Sequence, residues 1–259
     1  MSIEIDLNCD MGESFGVYRI GADGADDEAM LELVTSANVA CGFHAGDPRT
    51  IDATVALAAK HGVAVGAHPG HHDLRGFGRR VIAASADEVE ADVIYQVGAV
   101  AAFATAHGVA LVHVKPHGAL YNQAVSDGEL SRALASGVAR VSRDLIFVGL
   151  ATSTPMRKAA EARELRYAGE AFADRAYNAD GTLQSRGIEG SVITDPERAA
   201  AQAVSIAVER RVIAHDGTSV SIEAETLCLH GDNPAALDNA RAVRAALAKN
   251  GVEVRSLAA

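Results

Sequence analysis

Seven short stretches of this 259-residue chain bring together carboxylates, imidazoles and cations beside glycine or proline. Residues 6–13 (DLNCDMGE) carry Asp6, Asn8, Asp10 and Glu13, and residues 41–47 (CGFHAGD) carry Cys41, His44 and Asp47. Residues 67–73 (AHPGHHD) carry His68, His71, His72 and Asp73, and residues 76–80 (GFGRR) carry Arg79 and Arg80. Residues 114–122 (VKPHGALYN) supply Lys115, His117, Tyr121 and Asn122. Residues 169–175 (GEAFADR) supply Glu170, Asp174 and Arg175, and residues 229–234 (LHGDNP) supply His230, Asp232 and Asn233. Carboxylates and imidazoles accept and return protons near neutral pH, and Lys and Arg hold carboxylate or phosphoryl oxygens. Taken singly, each has an ordinary reading as a loop, cap or hydrogen-bonded interior residue; Asp47 reads equally well as a helix N-cap. Arg79 and Arg80 read equally well as a solvated turn. The functional argument is their convergence.

What must position them is a series of strands. Apolar, strand-like runs occur at 3–8, 36–41, 63–67, 110–115, 145–149, 166–172 and 225–229. Polar clusters follow six of the seven, and His44, His68, His117 and His230 each stand just past a run. Between the runs lie Ala-rich stretches of helical period. Pro48–His61 follows the candidate cap Asp47; the stretch from Ser85 to His107 opens on a capping-box spacing, Ser85 with Glu88, and ends at Gly108. Ser126 and Glu129 stand in the same relation before a helix to Val141, and further helices are expected over 155–165, 195–211 and 234–250. Strands alternating with helices mean βαβ units and a parallel α/β sheet, here as one domain over 1–259. It is either a closed barrel or an open doubly wound sheet. In both, ligands bind where the strands end, so the clusters share one rim. On this reading Asp6 and Asn8 point into a polar mouth, and 173–192, which lacks helical period, makes an excursion over it.

Composition removes several function classes. The net charge is −11, which argues against nucleic acid or an acidic membrane as partner. No run approaches the ~18 apolar residues of a membrane span, and the start lacks the pattern of a secretory leader. Cys9, Cys41 and Cys228 show no paired spacing and read as buried packers in a reducing, cytoplasmic setting. There is no GxxxxGK[ST] loop, no GxGxxG after the first strand, no GxSxG elbow and no HExxH.

The stretches DLNCDMGESFG, ANVACGFHAGDP, GAHPG, GFGRR, VKPHGALYN, GEAFADRAYNADGTLQSR and LCLHGDNP together resemble the LamB/YcsF family. The match runs from residue 6 to residue 234 and departs from the family pattern at His71 and His72, which are therefore not expected to be essential. The resemblance implies a seven-stranded (β/α) barrel of the glycoside hydrolase/deacetylase type. It implies ATP-dependent opening of the 5-oxoproline (pyroglutamate) lactam to L-glutamate, with ADP and phosphate released. It also implies work alongside 5-oxoprolinase subunits B and C, which suits a chain without a P-loop.

A lactam is an unactivated amide with a poor leaving group, so phosphorylation of its carbonyl oxygen would make the carbon electrophilic. Water attack then needs a general base, donors for developing charge and a clamp for the substrate carboxylate. Asp10, His44, His68 and His117 are candidate bases. Lys115 or Arg175 would hold carboxylate or phosphoryl oxygens, and Glu170, Asp174 and His230 would orient these groups or act as acid. Asp6, Asn8, Glu13, Arg79, Tyr121, Arg175 and Asp232 are expected around the substrate. Two alternatives stand beside this: a metal-dependent amide or carbohydrate deacetylase with a divalent ion on Asp10, His44 and His68, and a non-catalytic regulatory role.

Overall fold

The computed structural model describes residues 3–18, 27–231 and 235–258. Its centre is a closed barrel of seven parallel strands: β1 (Ile3–Met11), β2 (Ser36–Ala40), β3 (Ala64–His68), β4 (Leu111–Val114), β5 (Ile146–Leu150), β6 (Tyr167–Phe172) and β9 (Thr226–His230). Each pairs with the next, and β9 pairs with both β6 and β1, which closes the ring. The closed form settles the choice between barrel and open sheet. Helices α1 (Asp27–Leu31), α2 (Pro48–His61), α3 (Ala86–Ala106), α5 (Gly128–Val141), α6 (Thr154–Glu161), α7 (Pro196–Glu209) and α8 (Ala236–Lys249) occupy the crossovers.

Two helix starts follow the local chemistry read from sequence. Asp47 caps α2, accepting from Thr50 N at 2.8 Å, and Ser85 with Glu88 forms a capping box at α3. A third does not: the cap of α5 is Asp127, whose carboxylate accepts from Glu129 N and Leu130 N, and not Ser126. A carboxylate one residue closer to the helix satisfies two amides at once. The chain adds short features absent from the sequence reading, among them a 3-10 turn at Leu74–Gly76. Others are a short helix α4 (Gly118–Ala124), a hairpin β7 (Arg211–Ile213) with β8 (Ser219–Ser221), and β10 (Val252–Val254), which pairs with the outer end of β1. All are too short to carry a readable period.

By length and composition α3 is apolar enough to cross a membrane, closer to that limit than the sequence reading allowed. Here it lies on the barrel, burying Val89, Val93, Gln96, Val97 and Val100.

Along β1 the alternation is inverted relative to a water-facing strand. Leu7, Cys9 and Met11 join the large apolar core, while Asp6, Asn8 and Asp10 alternate with them and meet polar partners from β2, from β9 and from Lys115 just past β4. Cys9, Cys41 and Cys228 are free and buried, as expected of small packing residues.

Candidate functional site

The lower barrel interior is a dense hydrogen-bond network in which Asp6, Asn8 and Asn38 are paired, while buried His113 Nδ1 has no partner. Asp6 accepts from Thr226 Oγ1 (2.5 Å), Ser36 Oγ (2.7 Å) and Thr35 Oγ1 (2.7 Å). Asn8 Nδ2 donates to Thr226 Oγ1 at 2.6 Å, and Asn38 Nδ2 donates to Asn8 Oδ1 at 2.7 Å and Asp10 Oδ1 at 2.9 Å. His113 Nε2 lies 2.7 Å from Asn38 Oδ1. Gly66 makes room for that ring: a Cβ there would stand 2.1 Å from His113 Nε2. Burial raises the Asp6 pKa against its hydroxyl donors, and burial beside Lys115 pushes His113 down to about 3.

Lys115 joins this floor to the mouth. Its Nζ sits 3.1 Å from Asn8 Oδ1, 3.0 Å from Asp10 Oδ1, 2.8 Å from Glu170 Oε1 and 3.0 Å from Cys228 Sγ. Burial would neutralise the amine, but the Asp10 and Glu170 carboxylates override it and hold the pKa well above the ordinary lysine value. Burial would likewise protonate Asp10, yet His68 and Lys115 hold it well below the usual carboxylate range. Burial pushes the Cys228 thiol far up, so it remains protonated at neutral pH. Tyr121 is pushed up by burial and by Glu170, which keeps its hydroxyl a donor.

Above Lys115 the imidazoles gather. His68 Nδ1 donates to Lys115 O at 2.7 Å, and His117 Nε2 donates to Phe77 O at 2.8 Å. The other nitrogens, His68 Nε2 and His117 Nδ1, are 3.0 Å apart. His44 stacks on His117, with centroids 3.7 Å apart and 4° between planes. Gly78, at φ +63°, allows this: a Cβ there would stand 2.6 Å from His44 Cβ and 2.7 Å from His117 Cδ2. Glu13 Oε1 lies 3.5 Å from His44 Nε2 and 3.7 Å from His117 Nδ1. Burial, with His68 nearby, lowers His44 and His117 well below the ordinary histidine value, so both rings are neutral at pH 7.

On the opposite wall His230 Nδ1 is 2.9 and 3.1 Å from the two oxygens of Asp174, and its backbone N–H also donates to Asp174. Asp174, which burial alone would raise, is held down by His230. That contact orients the ring with Nδ1 as the donor to the carboxylate and leaves Nε2 as the other ring nitrogen.

A cavity of about 760 Å³ opens between these walls, lined among others by Asp10, Glu13, His68, Arg79, Lys115, His117, Tyr121, Arg175 and His230. Gln184 to Ile188, from the excursion over the mouth, close its far side with Arg186. Burial and the Arg186 charge lower Arg175 to about 10, the signature of crowded cations.

The structure therefore brings Asp10, His44, His68, Lys115, His117 and His230 into one rim region, and corrects the placement of others. Asp6 and Asn8 are not at the mouth. A strand rises about 3.3 Å per residue, so Asp6 lies about 13 Å below Asp10 along β1. His44, Glu170 and Asp174 are buried behind the lining and act on it through His117, Lys115 and His230. Arg79 and Arg80 divide: Arg79 lines the cavity, whereas Arg80 pairs with Asp73 to anchor the turn. Asp232 lies outside the described residues. Sequence reasoning missed His113, Asn38 and Thr226, all inside strands; His113-x-Lys115 and Ser36-x-Asn38, polar pairs at period two, were the available signal.

A closed barrel whose strand ends converge ionised carboxylates, neutral imidazoles and a charged lysine on a cation-rimmed cavity is built for proton transfer at a polar substrate. The chain belongs to the LamB/YcsF family, whose model matches residues 5–259. It is 54% identical over 251 residues to the A subunit of 5-oxoprolinase from Symbiobacterium thermophilum, covering 97% of this chain and 94% of that one. It is 50% identical over 256 residues to the A subunit of 5-oxoprolinase from Bordetella pertussis, covering 99% of this chain and 100% of the relative. The crystal structure of the lactam utilization protein from Thermus thermophilus superposes with a TM-score of 0.91 at 49% identity, covering 98% of this chain and 100% of that one. The relatives' name places them in enzymes of more than one subunit.

Proposed function

We propose that this chain is the ring-opening component of an ATP-dependent 5-oxoprolinase, converting the 5-oxoproline lactam to L-glutamate as ATP goes to ADP and phosphate. Subunits B and C complete the enzyme and supply the nucleotide chemistry, in the cytoplasm. The relatives' names support the substrate. The observation that carries the chemistry is the pairing of the Asp174–His230 dyad with the charged Lys115 across one cavity.

The residues divide the work as follows. His230 Nε2, its tautomer set by Asp174, takes a proton from the attacking water and returns it to the ring nitrogen as the C–N bond breaks; the acyl phosphate so formed then loses phosphate to a second water, leaving the side-chain carboxylate of glutamate. Lys115 faces the carbonyl oxygen and the negative charge of the phosphoryl group placed on it, prepositioned by Asp10 and Glu170 so that no reorganisation is needed. Arg79, Arg175 and Arg186 draw the substrate carboxylate to the opposite side. The cavity exceeds what a five-membered lactam needs, in keeping with a phosphorylated intermediate.

The test is reconstitution with subunits B and C from a relative, measuring glutamate and ADP formed from 5-oxoproline with each component omitted in turn. Turnover is expected only with all three present. Lactam hydrolysis by this chain alone without ATP, or full turnover without this chain, would reject the assignment.

A further inference from the structure

The imidazole cluster has a feature the ring-opening scheme does not use. His68 and His117 each spend one ring N–H on a backbone carbonyl, Lys115 O and Phe77 O respectively. In neutral rings the nitrogens left over, His68 Nε2 and His117 Nδ1, are therefore both lone pairs, yet they face each other at 3.0 Å. Two acceptors at that distance need a positive centre between or beside them. Carboxylate oxygens crowd the same point: Glu13 Oε1 is 3.7 Å from His117 Nδ1, and Asp10 Oδ2 is 3.3 Å from His68 Nε2. Neither ring nitrogen of fully buried His44, whose Nε2 points at Glu13, makes a hydrogen bond.

We propose that Glu13, His68 and His117 bind a divalent first-row metal ion of the zinc type, with the fourth coordination position facing the cavity. Ligand bonds of about 2.0–2.1 Å to a tetrahedral ion put donor atoms about 3.4 Å apart, and the spacings here bracket that value. Metal-binding histidines ordinarily give their second N–H to a carbonyl or carboxylate, which fixes the tautomer; both rings do so here. Glu13, His68 and His117 line the cavity and His44 does not. His44 lies flat on His117 with centroids 3.7 Å apart, so an ion in the plane of the His117 ring stands out of the plane of the His44 ring, and His44 serves as a wall. This set shares only His68 with the triad expected from the sequence: Glu13, His44, His68 and His117 hold ligand atoms within 4.8 Å of one another, whereas Asp10, tied through Oδ1 to Lys115 and Asn38, stands beside that group with Oδ2 3.3 Å from His68 Nε2. A second group, Asp10, Cys228 and His230, is also close enough to ligate. There the Lys115 ammonium stands 3.0 Å from both Asp10 and Cys228 and would repel a second cation. A divalent ion at Glu13 would place Lewis-acid charge at the barrel mouth, against the cavity.

The proposal is tested by metal binding, independently of which reaction the chain performs. The full chain is stripped with chelator and titrated with Co²⁺ alone. Binding is followed by the visible bands of four-coordinate Co²⁺, by metal content after desalting, and by melting temperature. One ion per chain is expected, with a rise in melting temperature. Glu13→Gln and His117→Ala should bind at least tenfold more weakly, and His230→Gln should bind as the parent does. Glu13 lies in a loop, so its variant keeps the test valid where His117→Ala does not fold. Absence of stoichiometric Co²⁺ would overturn the proposal and leave a shared proton between His68 and His117. Undiminished binding in Glu13→Gln, or a thiolate-to-cobalt charge-transfer band from Cys228, would overturn it as well.

Discussion

The floor and the mouth of this barrel are built from the same residue types and behave differently. On the floor, Asp6, Asn8, Asn38, Thr226 and Ser36 form a chain in which each acceptor meets a donor. At the mouth, His68 Nε2 and His117 Nδ1 face each other at 3.0 Å after each ring has given its other nitrogen to a backbone carbonyl, the ring nitrogens of His44 make no hydrogen bond, and Lys115 is set among Asp10, Glu170 and Cys228. A saturated buried network holds a shape, since every polar group left unpaired would cost about 1–3 kcal/mol. An unsaturated one is tolerated where a ligand, proton or ion completes it. Polarity inside a barrel is thus no sign of function until the donors and acceptors have been matched.

Breaking the link between the two layers should have the largest effect. Lys115→Met leaves Asp10 and Glu170 as buried charges without a cation; about 3–5 kcal/mol of stability should be lost in urea denaturation, with no measurable turnover in the three-component assay. A change confined to the mouth should separate chemistry from stability. His230→Gln should lower kcat by roughly 10²- to 10⁴-fold while its melting temperature stays near that of the parent. Equal losses of stability and rate would make His230 a structural residue.

Acid should loosen both layers through histidine. His113 is held at about 3, and His44 and His117 are also held low, so the folded protein keeps these rings neutral while the unfolded chain protonates them near 6.5. Below pH 6.5 the unfolded state binds more protons, and stability falls as pH drops from there through about 3. Asp10 and Asp174, held below their unfolded values, add a further loss below about pH 4, where the unfolded carboxylates take up protons first. Asp6, raised by burial, works in the opposite sense: its contribution is complete at low pH and is lost as pH rises through its folded value. The urea midpoint of His113→Asn should vary less with pH between 4 and 6.5 than that of the parent; an equal slope would assign the acid sensitivity to the mouth alone. The smallest effect belongs to the floor by itself. Thr226→Val removes a donor from Asp6 and an acceptor from Asn8, for a loss of about 1–3 kcal/mol, with turnover within a few-fold of the parent.

The alternating parallel α/β order was legible because its strands are short apolar runs spaced by amphipathic helices, and because Asp47 and Ser85 mark helix starts by local hydrogen bonding alone, while closure of the ring was implied only by the family resemblance. The convergence of Asp10, His44, His68, His117 and His230 was legible for a topological reason, since every parallel strand delivers its C-terminal end to the same rim. Depth and pairing were not. Asp6 and Asp10 are the same residue type on the same strand face, yet one is bound by three hydroxyls and the other meets Lys115 and His68. Arg79 and Arg80 are neighbours in sequence, and one turn sends them to different partners.

The order of residues by itself determined the element pattern, the parallel architecture and the supply of ionisable groups at the strand ends, because these depend on interactions spanning a few residues and on a general rule of βαβ chirality and direction. Only the tertiary structure decided which nitrogen of each imidazole is a lone pair, which carboxylates share Lys115, and which polar residues meet the cavity. Those outcomes are set by partners up to 220 positions away in the chain, as Asp6 and Thr226 are, and by distances on which electrostatic energy depends steeply in a buried, weakly screened interior.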